Sequence, residues 1–104
     1  SFTLVLANSC NKCKNEDPRA RIINNGTEKA SVQIKTSGGN TININNILPE
    51  TSSEYASYAP GVITFTITVS ETDYIKVDTL ESCFDYDIAI DASNVITVTA
   101  IDRN

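Results

Sequence analysis

The three cysteines are the residues whose type and spacing most directly suggest chemistry. Cys10 and Cys13 are separated by two residues, and Cys83 lies far along the chain. A Cys-x-x-Cys pair suits a redox dithiol or two ligands of a zinc site, and two or three thiolates can hold copper(I). No helical pattern follows Cys13 to lower a thiol pKa, and the chain has no histidine to complete a zinc site. The pattern therefore disfavours redox and zinc chemistry and leaves copper(I) as an alternative.

Three aspartates form a second candidate site. Asp85, Asp87 and Asp91 occupy positions of the same parity in one predicted strand, so they share one face of it. Carboxylates on one face repel each other, and a calcium ion would relieve that repulsion. The apolar residues between them are expected to face the core: Phe84, Tyr86, Ile88 and Ile90. The aspartates equally fit the solvated face of an ordinary strand, which is the simpler interpretation.

The composition argues against an enzyme. The absence of histidine removes the commonest general base and the Ser-His and Cys-His nucleophile pairs. Any catalysis would have to rest on carboxylates or lysine, and no cleft-forming pair of such groups stands out. The sequence predicts no catalytic residue and no cofactor.

Two tyrosines are the candidates for a binding surface. Tyr55 and Tyr58 precede the Pro60-Gly61 corner, and tyrosine offers a partner a large contact area with a polar tip. A tyrosine at a sandwich corner also commonly bonds a backbone group. The two side chains are predicted to be available to a protein or glycan partner.

Length and charge narrow the possible partners. The chain has 104 residues, the size of a single domain, and a net charge of -5. The acidic residues are concentrated after residue 49. An acidic chain repels the phosphate backbone, so nucleic acid is not an expected partner.

Strict alternation of apolar and polar residues predicts the fold. It recurs in five stretches, within residues 31–35, 41–45, 63–69, 84–91 and 96–100. Alternation with period two is typical of strands that bury one face. We therefore expect an all-β fold: a single antiparallel β-sandwich of seven to eight strands, immunoglobulin-like or transthyretin-like, over residues 19–104.

Turn residues separate the predicted strands. Asn25-Gly26 predicts a tight hairpin between residues 19–24 and 30–36, and residues 37–40 and 91–94 predict two more connections of this kind. The Leu48-Pro49 region is expected to cross between the sheets, because proline cannot donate to a central ladder.

The N-terminal segment, residues 1–18, has two interpretations. Its apolar run, Phe2 to Ala7, has the length of a first or edge strand. Alternatively, the run is the end of a secretory signal, with Cys10 as the lipid-acceptor cysteine and residues 11–18 as a polar tether.

Several segments resemble those of small bacterial surface lipoproteins with a β-sandwich body. The resemblance rests on Leu6-Ala7-Asn8-Ser9-Cys10, on the polar tether, on the opening Arg19-Ala20-Arg21-Ile22-Ile23-Asn24-Asn25, and on Tyr55 to Gly61. Two positions depart from the lipid-acceptor pattern: Ala7 stands where a larger aliphatic residue is commoner, and Asn8 stands where a small residue is expected. The resemblance implies a secreted or cell-envelope protein that meets a membrane only through a lipid on Cys10.

Cysteine pairing depends on that anchor. If Cys10 carries a lipid, Cys13 and Cys83 remain and can close a disulfide. Without a lipid, either Cys10 or Cys13 can bridge to Cys83 and one thiol stays free. The expected function is that of a non-catalytic interaction or accessory module, with a small calcium- or copper(I)-binding protein as the alternative.

Overall fold

A computed structural model describes residues 13–104, which form β-strands and their connections and contain no helix. Seven strands have six to nine residues, and two have only two residues each. In chain order they are β1 Arg19–Asn25, β2 Ala30–Lys35, β3 Thr41–Ile47, β4 Thr51–Ser52, β5 Ala56–Ser57, β6 Gly61–Val69, β7 Thr72–Leu80, β8 Phe84–Asp91 and β9 Ile96–Asp102.

The strands form two sheets that pack face to face, which confirms the predicted β-sandwich. Sheet I has the order β4-β1-β8-β9, with β5 also paired to β1, and sheet II has the order β3-β2-β6-β7. The prediction of a purely antiparallel sandwich was wrong, because β1 runs parallel to β8 over all seven of its residues. Sheet I is therefore mixed, and sheet II is antiparallel.

The predicted hairpin at Asn25-Gly26 was also wrong. The strands on either side of it, β1 and β2, belong to different sheets, so residues 26–29 cross the sandwich. The cause is the side chain of Asn24, which accepts a hydrogen bond from the Gly26 amide (2.9 Å) and donates one to the Glu28 carbonyl (2.7 Å). These bonds turn the chain out of sheet I.

The other predicted connections are confirmed. Residues 36–40 join β2 to β3, and residues 92–95 join β8 to β9, in both cases between paired antiparallel strands. The segment after Ile47 crosses from sheet II to sheet I, as expected from Pro49.

The core lies between the two sheets, because apolar side chains at alternate strand positions point inward. On β6, Ile63, Phe65 and Ile67 are completely buried, while the intervening threonines face outward. On β8, Ile88 and Ile90 oppose them from sheet I. β-Branched side chains suit this position because they pack closely on a pleated surface.

The two ends of the sandwich differ. One end, which we call the cysteine end, holds Cys13, Cys83 and the connections 36–40, 58–60 and 81–83. The other, the loop end, holds the connections 26–29, 48–50, 70–71 and 92–95. Among residues 13–104, no helix has the length and apolar character needed to span a membrane.

Candidate functional site

A disulfide closes the cysteine end. Cys13 is bonded to Cys83, with their Cα atoms 5.7 Å apart and a separation of 70 positions in the sequence. Of the pairings that the sequence left open, the structure therefore contains Cys13–Cys83. Disulfides are typical of extracytoplasmic proteins, because the cytosol keeps thiols reduced. Cys10, the predicted lipid acceptor, lies outside the described residues.

Residues 13–18 are held against the body of the domain. The Glu16 carbonyl accepts a hydrogen bond from the Cys83 amide (2.9 Å), and the Pro18 carbonyl accepts one from the Tyr58 amide (3.0 Å). Arg103, after β9, donates to a Glu16 carboxylate oxygen (3.1 Å) and to the Asp17 carbonyl (2.6 Å). The part of the predicted tether that follows Cys13 is thus bonded to the cysteine end.

Two arginine–aspartate pairs lie on the outer face of sheet I. The parallel register of β1 and β8 sets Arg19 opposite Asp85 and Arg21 opposite Asp87. Both arginines donate two hydrogen bonds, at 2.8 and 2.7 Å for the first pair and 2.9 and 3.3 Å for the second. Such two-point contacts fix the orientation of both side chains, which ordinary surface ion pairs do not.

Tyr55 covers these pairs. It lies between β4 and β5, and because both of these short strands pair with β1, its ring is brought over the arginines. The ring centroid lies 5.5 Å from the guanidinium carbon of Arg19 and 4.8 Å from that of Arg21. The hydroxyl donates to Asp87 Oδ1 at 2.6 Å. The cation–π contacts and this bond hold Tyr55 half-buried, so it is less free for a partner than the sequence suggested.

The contacts among Arg21, Asp87 and Tyr55 shift the pKa values of Asp87 and Tyr55. The hydrogen bonds from Arg21 are the main reason that the pKa of Asp87 lies below its ordinary value of 3.8, and the Tyr55 hydroxyl adds to this effect. The same hydroxyl bond to the Asp87 carboxylate raises the pKa of Tyr55. Asp87 therefore stays ionised and Tyr55 protonated at neutral pH.

Asp85 is the most enclosed of the three aspartates. It is 8% exposed and lies between two arginines, since Arg103 Nε is 3.1 Å from its Oδ1 in an ion pair without hydrogen-bond geometry. This placement departs from the expected fully solvated face. It links the Arg19 pair to the segment that Arg103 holds at the cysteine end.

Asp91 serves a different purpose. It is exposed, and its Oδ1 accepts hydrogen bonds from the amides of Ser93 (2.8 Å) and Val95 (3.0 Å), which shapes the β8–β9 turn. The three aspartates predicted as calcium ligands thus each have protein partners. Within residues 13–104, no group of three or more Cys, Asp or Glu residues is arranged to hold a metal ion. Copper(I) binding by Cys13 and Cys83 would require this disulfide to be reduced.

The prediction that Tyr58 belongs to a binding surface was wrong. Its side chain is 5% exposed and packs in the core, and burial raises its pKa. Its hydroxyl has no hydrogen-bond partner among the described residues. Tyr86, expected only as a core residue, is the tyrosine that bonds a backbone group: its hydroxyl accepts the Glu81 amide at 2.8 Å.

A polar pocket opens at the loop end. Its volume is about 130 Å³, and its lining includes Asn24, Glu28, Tyr74, Asp91 and Asn94. Asn24 is 1% exposed. Its side-chain amide donates hydrogen bonds to the carbonyls of Glu28 and Ile47 and accepts one from the Gly26 amide. Sequence analysis did not single out this pocket, because its walls come from three connections, 26–29, 70–71 and 92–95, that are distant in the chain.

A larger groove of about 530 Å³ runs along the open side of the sandwich, between the edge strands β7 and β9. Apolar side chains of β8 and β9 line one wall, among them Phe84, Tyr86 and Val98. Lys76 and Asp78 of β7 line the other wall. The groove exists because, among residues 13–104, each sheet ends there in a strand with no further neighbour.

Comparison with protein-family models and with curated proteins found no match for this chain.

The acid limb of the stability curve should depend on Asp87. Its folded-state pKa is lowered, so the Asp87–Arg21 contact stabilises the fold above about pH 4 and is lost as the pH falls through that lowered value. Asp87→Asn is expected to be less stable than the wild type at pH 7, with the difference shrinking below pH 4. Urea unfolding between pH 2 and 7 measures this. Glu54→Gln makes the same chemical change at an exposed carboxylate nearby and should leave the curve unchanged; a constant Asp87→Asn deficit at every pH would contradict the assignment.

Proposed function

We propose that this protein is an exported, non-catalytic interaction module, anchored to a bacterial cell envelope through a lipid on Cys10. The observation that carries the proposal is the Cys13–Cys83 disulfide. Cys10 precedes Cys13 by three residues, a stretch of chain that reaches at most about 10 Å. A lipid on Cys10 would therefore attach the domain to the membrane by its cysteine end.

Such an anchor would direct the opposite end outward. The nine-residue strands β6 and β7 extend for about 30 Å, so the loop end would stand roughly that far from the attachment point. The loop end carries the polar pocket bounded by Asn24, Glu28 and Asp91. We propose this end, rather than the Tyr55 surface, as the face offered to a protein or glycan partner, since Tyr55 is already bound to Arg21 and Asp87.

The contacts around Arg103 support an anchor at this position. A force applied at Cys10 would pass through the disulfide to Cys83 and through Glu16 and Arg103 to Asp85. The pull would thus reach β8 and β9 in addition to the first strand.

Within the sandwich folds, we assign the transthyretin-like type. In immunoglobulin domains the first two strands share a sheet. Here β1 lies in sheet I and β2 in sheet II, and β1 pairs with β8 in parallel. The strand order supports the second of the two types that the sequence analysis considered.

The anchor is tested by substitution in the native host. Cys10→Ser should abolish incorporation of an alkyne-tagged fatty acid and remove the mature protein from the washed membrane fraction, because the thioether that would carry the lipid cannot form. Lys14→Ala, an exposed change four residues away, should leave labelling unchanged. Equal labelling of the Cys10→Ser variant and the wild type would refute the anchor.

A further inference from the structure

The edge strand β7 exposes apolar side chains along its length. It is the last strand of sheet II, so its outer edge has no neighbour among residues 13–104. Ile75 is 64% exposed and Val77 55% exposed, and Val62 on the adjoining β6 is 51% exposed. A long, unpaired strand with exposed aliphatic residues is a template for pairing with another strand.

We propose that β7 pairs antiparallel with β7 of a second copy of this chain, in the register that sets Val77 opposite Val77. The pairing would join the two copies of sheet II into one continuous eight-stranded sheet. The partner is a second copy because the strand is complementary in charge to itself.

The charges of β7 determine the register. A two-fold axis that keeps both inner faces on the same side pairs only residues of equal parity. With Val77 at the centre, Lys76 faces Asp78 of the second copy, and Asp78 faces its Lys76. Centring on Lys76 or Asp78 sets like charges opposite each other, and centring on Ile75 sets Lys76 opposite Tyr74. Only the Val77 register forms two cross-strand ion pairs.

In this register, charged residues would meet on the inner face of the joined strands and mainly aliphatic residues on the outer face. Lys76 and Asp78 are half-buried on the inner side, beside the groove, where an ion pair is less screened than on an open surface. On the outer side, Val77 would contact its counterpart, and Ile75 would pack against Thr79 of the second copy. The sides of Ile75 and Val77 that face the second copy would be covered without any rearrangement of the fold.

Lys76 also explains why the strand would not pair indiscriminately. An inward-facing charge in the middle of an edge strand is a common means of blocking unwanted pairing. An incoming strand is accepted only if it carries an acid opposite Lys76 and a base opposite Asp78. The edge strands β3 and β9 lack this pair of opposite charges: β3 has no charged residue, and β9 has only Asp102 at its end.

Charge exchange tests the pairing. We would measure molar mass by light scattering over a concentration series, using the disulfide-intact full chain with Cys10→Ser so that neither a lipid nor a Cys10 disulfide causes association. The parent should be a dimer. Lys76→Asp and Asp78→Lys should each weaken the dimer about tenfold or more, since like charges would meet twice.

Two rescues separate this mechanism from loss of folding. The double variant Lys76→Asp/Asp78→Lys should dimerise again, and an equimolar mixture of the two single variants should form a heterodimer. A monomeric parent at every concentration would overturn the proposal, as would single variants that dimerise like the parent.

A crosslink tests the register itself. Val77→Cys should form a disulfide-linked dimer under mild oxidation, because directly opposite residues have Cα atoms about 4.5–5.5 Å apart, within disulfide range. Ile75→Cys should not, since its counterpart would lie four residues away along the strand. Efficient crosslinking of Ile75→Cys but not Val77→Cys would overturn the register.

Discussion

Replacing Cys13 and Cys83 together with serine is expected to lower the free energy of unfolding by about 4 kcal/mol. The disulfide joins positions 70 residues apart, so it restricts most of the unfolded chain. The native fold has its own core and should survive the loss at room temperature. The double substitution avoids a lone reactive thiol at either position.

Urea unfolding of the full chain, with and without a reducing agent, measures this effect. The reduced wild type should match the double variant, because both lack the same bond. Cys10→Ser is the matched control and should unfold like the wild type in both conditions. A double variant that retains wild-type stability would show that the disulfide contributes little to the fold and would remove the mechanical argument for an anchor near Cys13.

Asn24→Ala is expected to cost about 2–3 kcal/mol of unfolding free energy. The Asn24 side chain is 1% exposed and donates to the carbonyls of Glu28 (2.7 Å) and Ile47 (2.9 Å). It also accepts the Gly26 amide. Truncation leaves these backbone groups without a partner at the point where both sheets meet, and it removes one wall of the loop-end pocket.

Thermal and urea unfolding of Asn24→Ala give the size of the loss. Asn25→Ala is the matched control, because Asn25 is exposed and its substitution should change stability by less than about 0.5 kcal/mol. Equal effects of the two substitutions would show that the Asn24 bonds are not a significant tie between the sheets.

Most strands could be predicted because each buries one face. Ile63, Phe65 and Ile67 alternate with threonines, and a one-residue slip would expose all of them. Strand β7 follows the opposite rule: Ile75 and Val77 face outward, while Lys76 and Asp78 face the groove. An edge strand on the open side of a sandwich is not covered by the other sheet, so local alternation does not reveal which of its faces is inward.

The site residues were harder to predict than the strands. The period-two spacing of Asp85 and Asp87 was visible, and the same spacing of Arg19 and Arg21 was a signal that could have matched them. Pairing them requires the parallel contact between β1 and β8, which the local sequence does not encode. The prediction that Tyr58 is exposed was wrong for a related reason: its amide bonds the Pro18 carbonyl, a contact between distant parts of the chain that the local sequence does not reveal.

We interpret the two arginine–aspartate pairs, Arg19–Asp85 and Arg21–Asp87, as part of the scaffold. They join β1 to β8 toward the cysteine end, where the proposed anchor would pull, and the Tyr55 ring lies over both arginines. The two surfaces that we propose for partners are the loop end and the β7 edge. The first is polar and concave, and the second is extended and aliphatic, so the two could be occupied at the same time.

The most direct test of the proposed anchor is the intact mass of the protein purified from the membranes of its native host. A lipid anchor at Cys10 predicts a chain that begins at Cys10, carries diacylglycerol on the Cys10 sulfur, and is two hydrogen atoms lighter than the reduced form because of the Cys13–Cys83 bond. A chain that retains the residues before Cys10, with an unmodified Cys10 thiol, would contradict it.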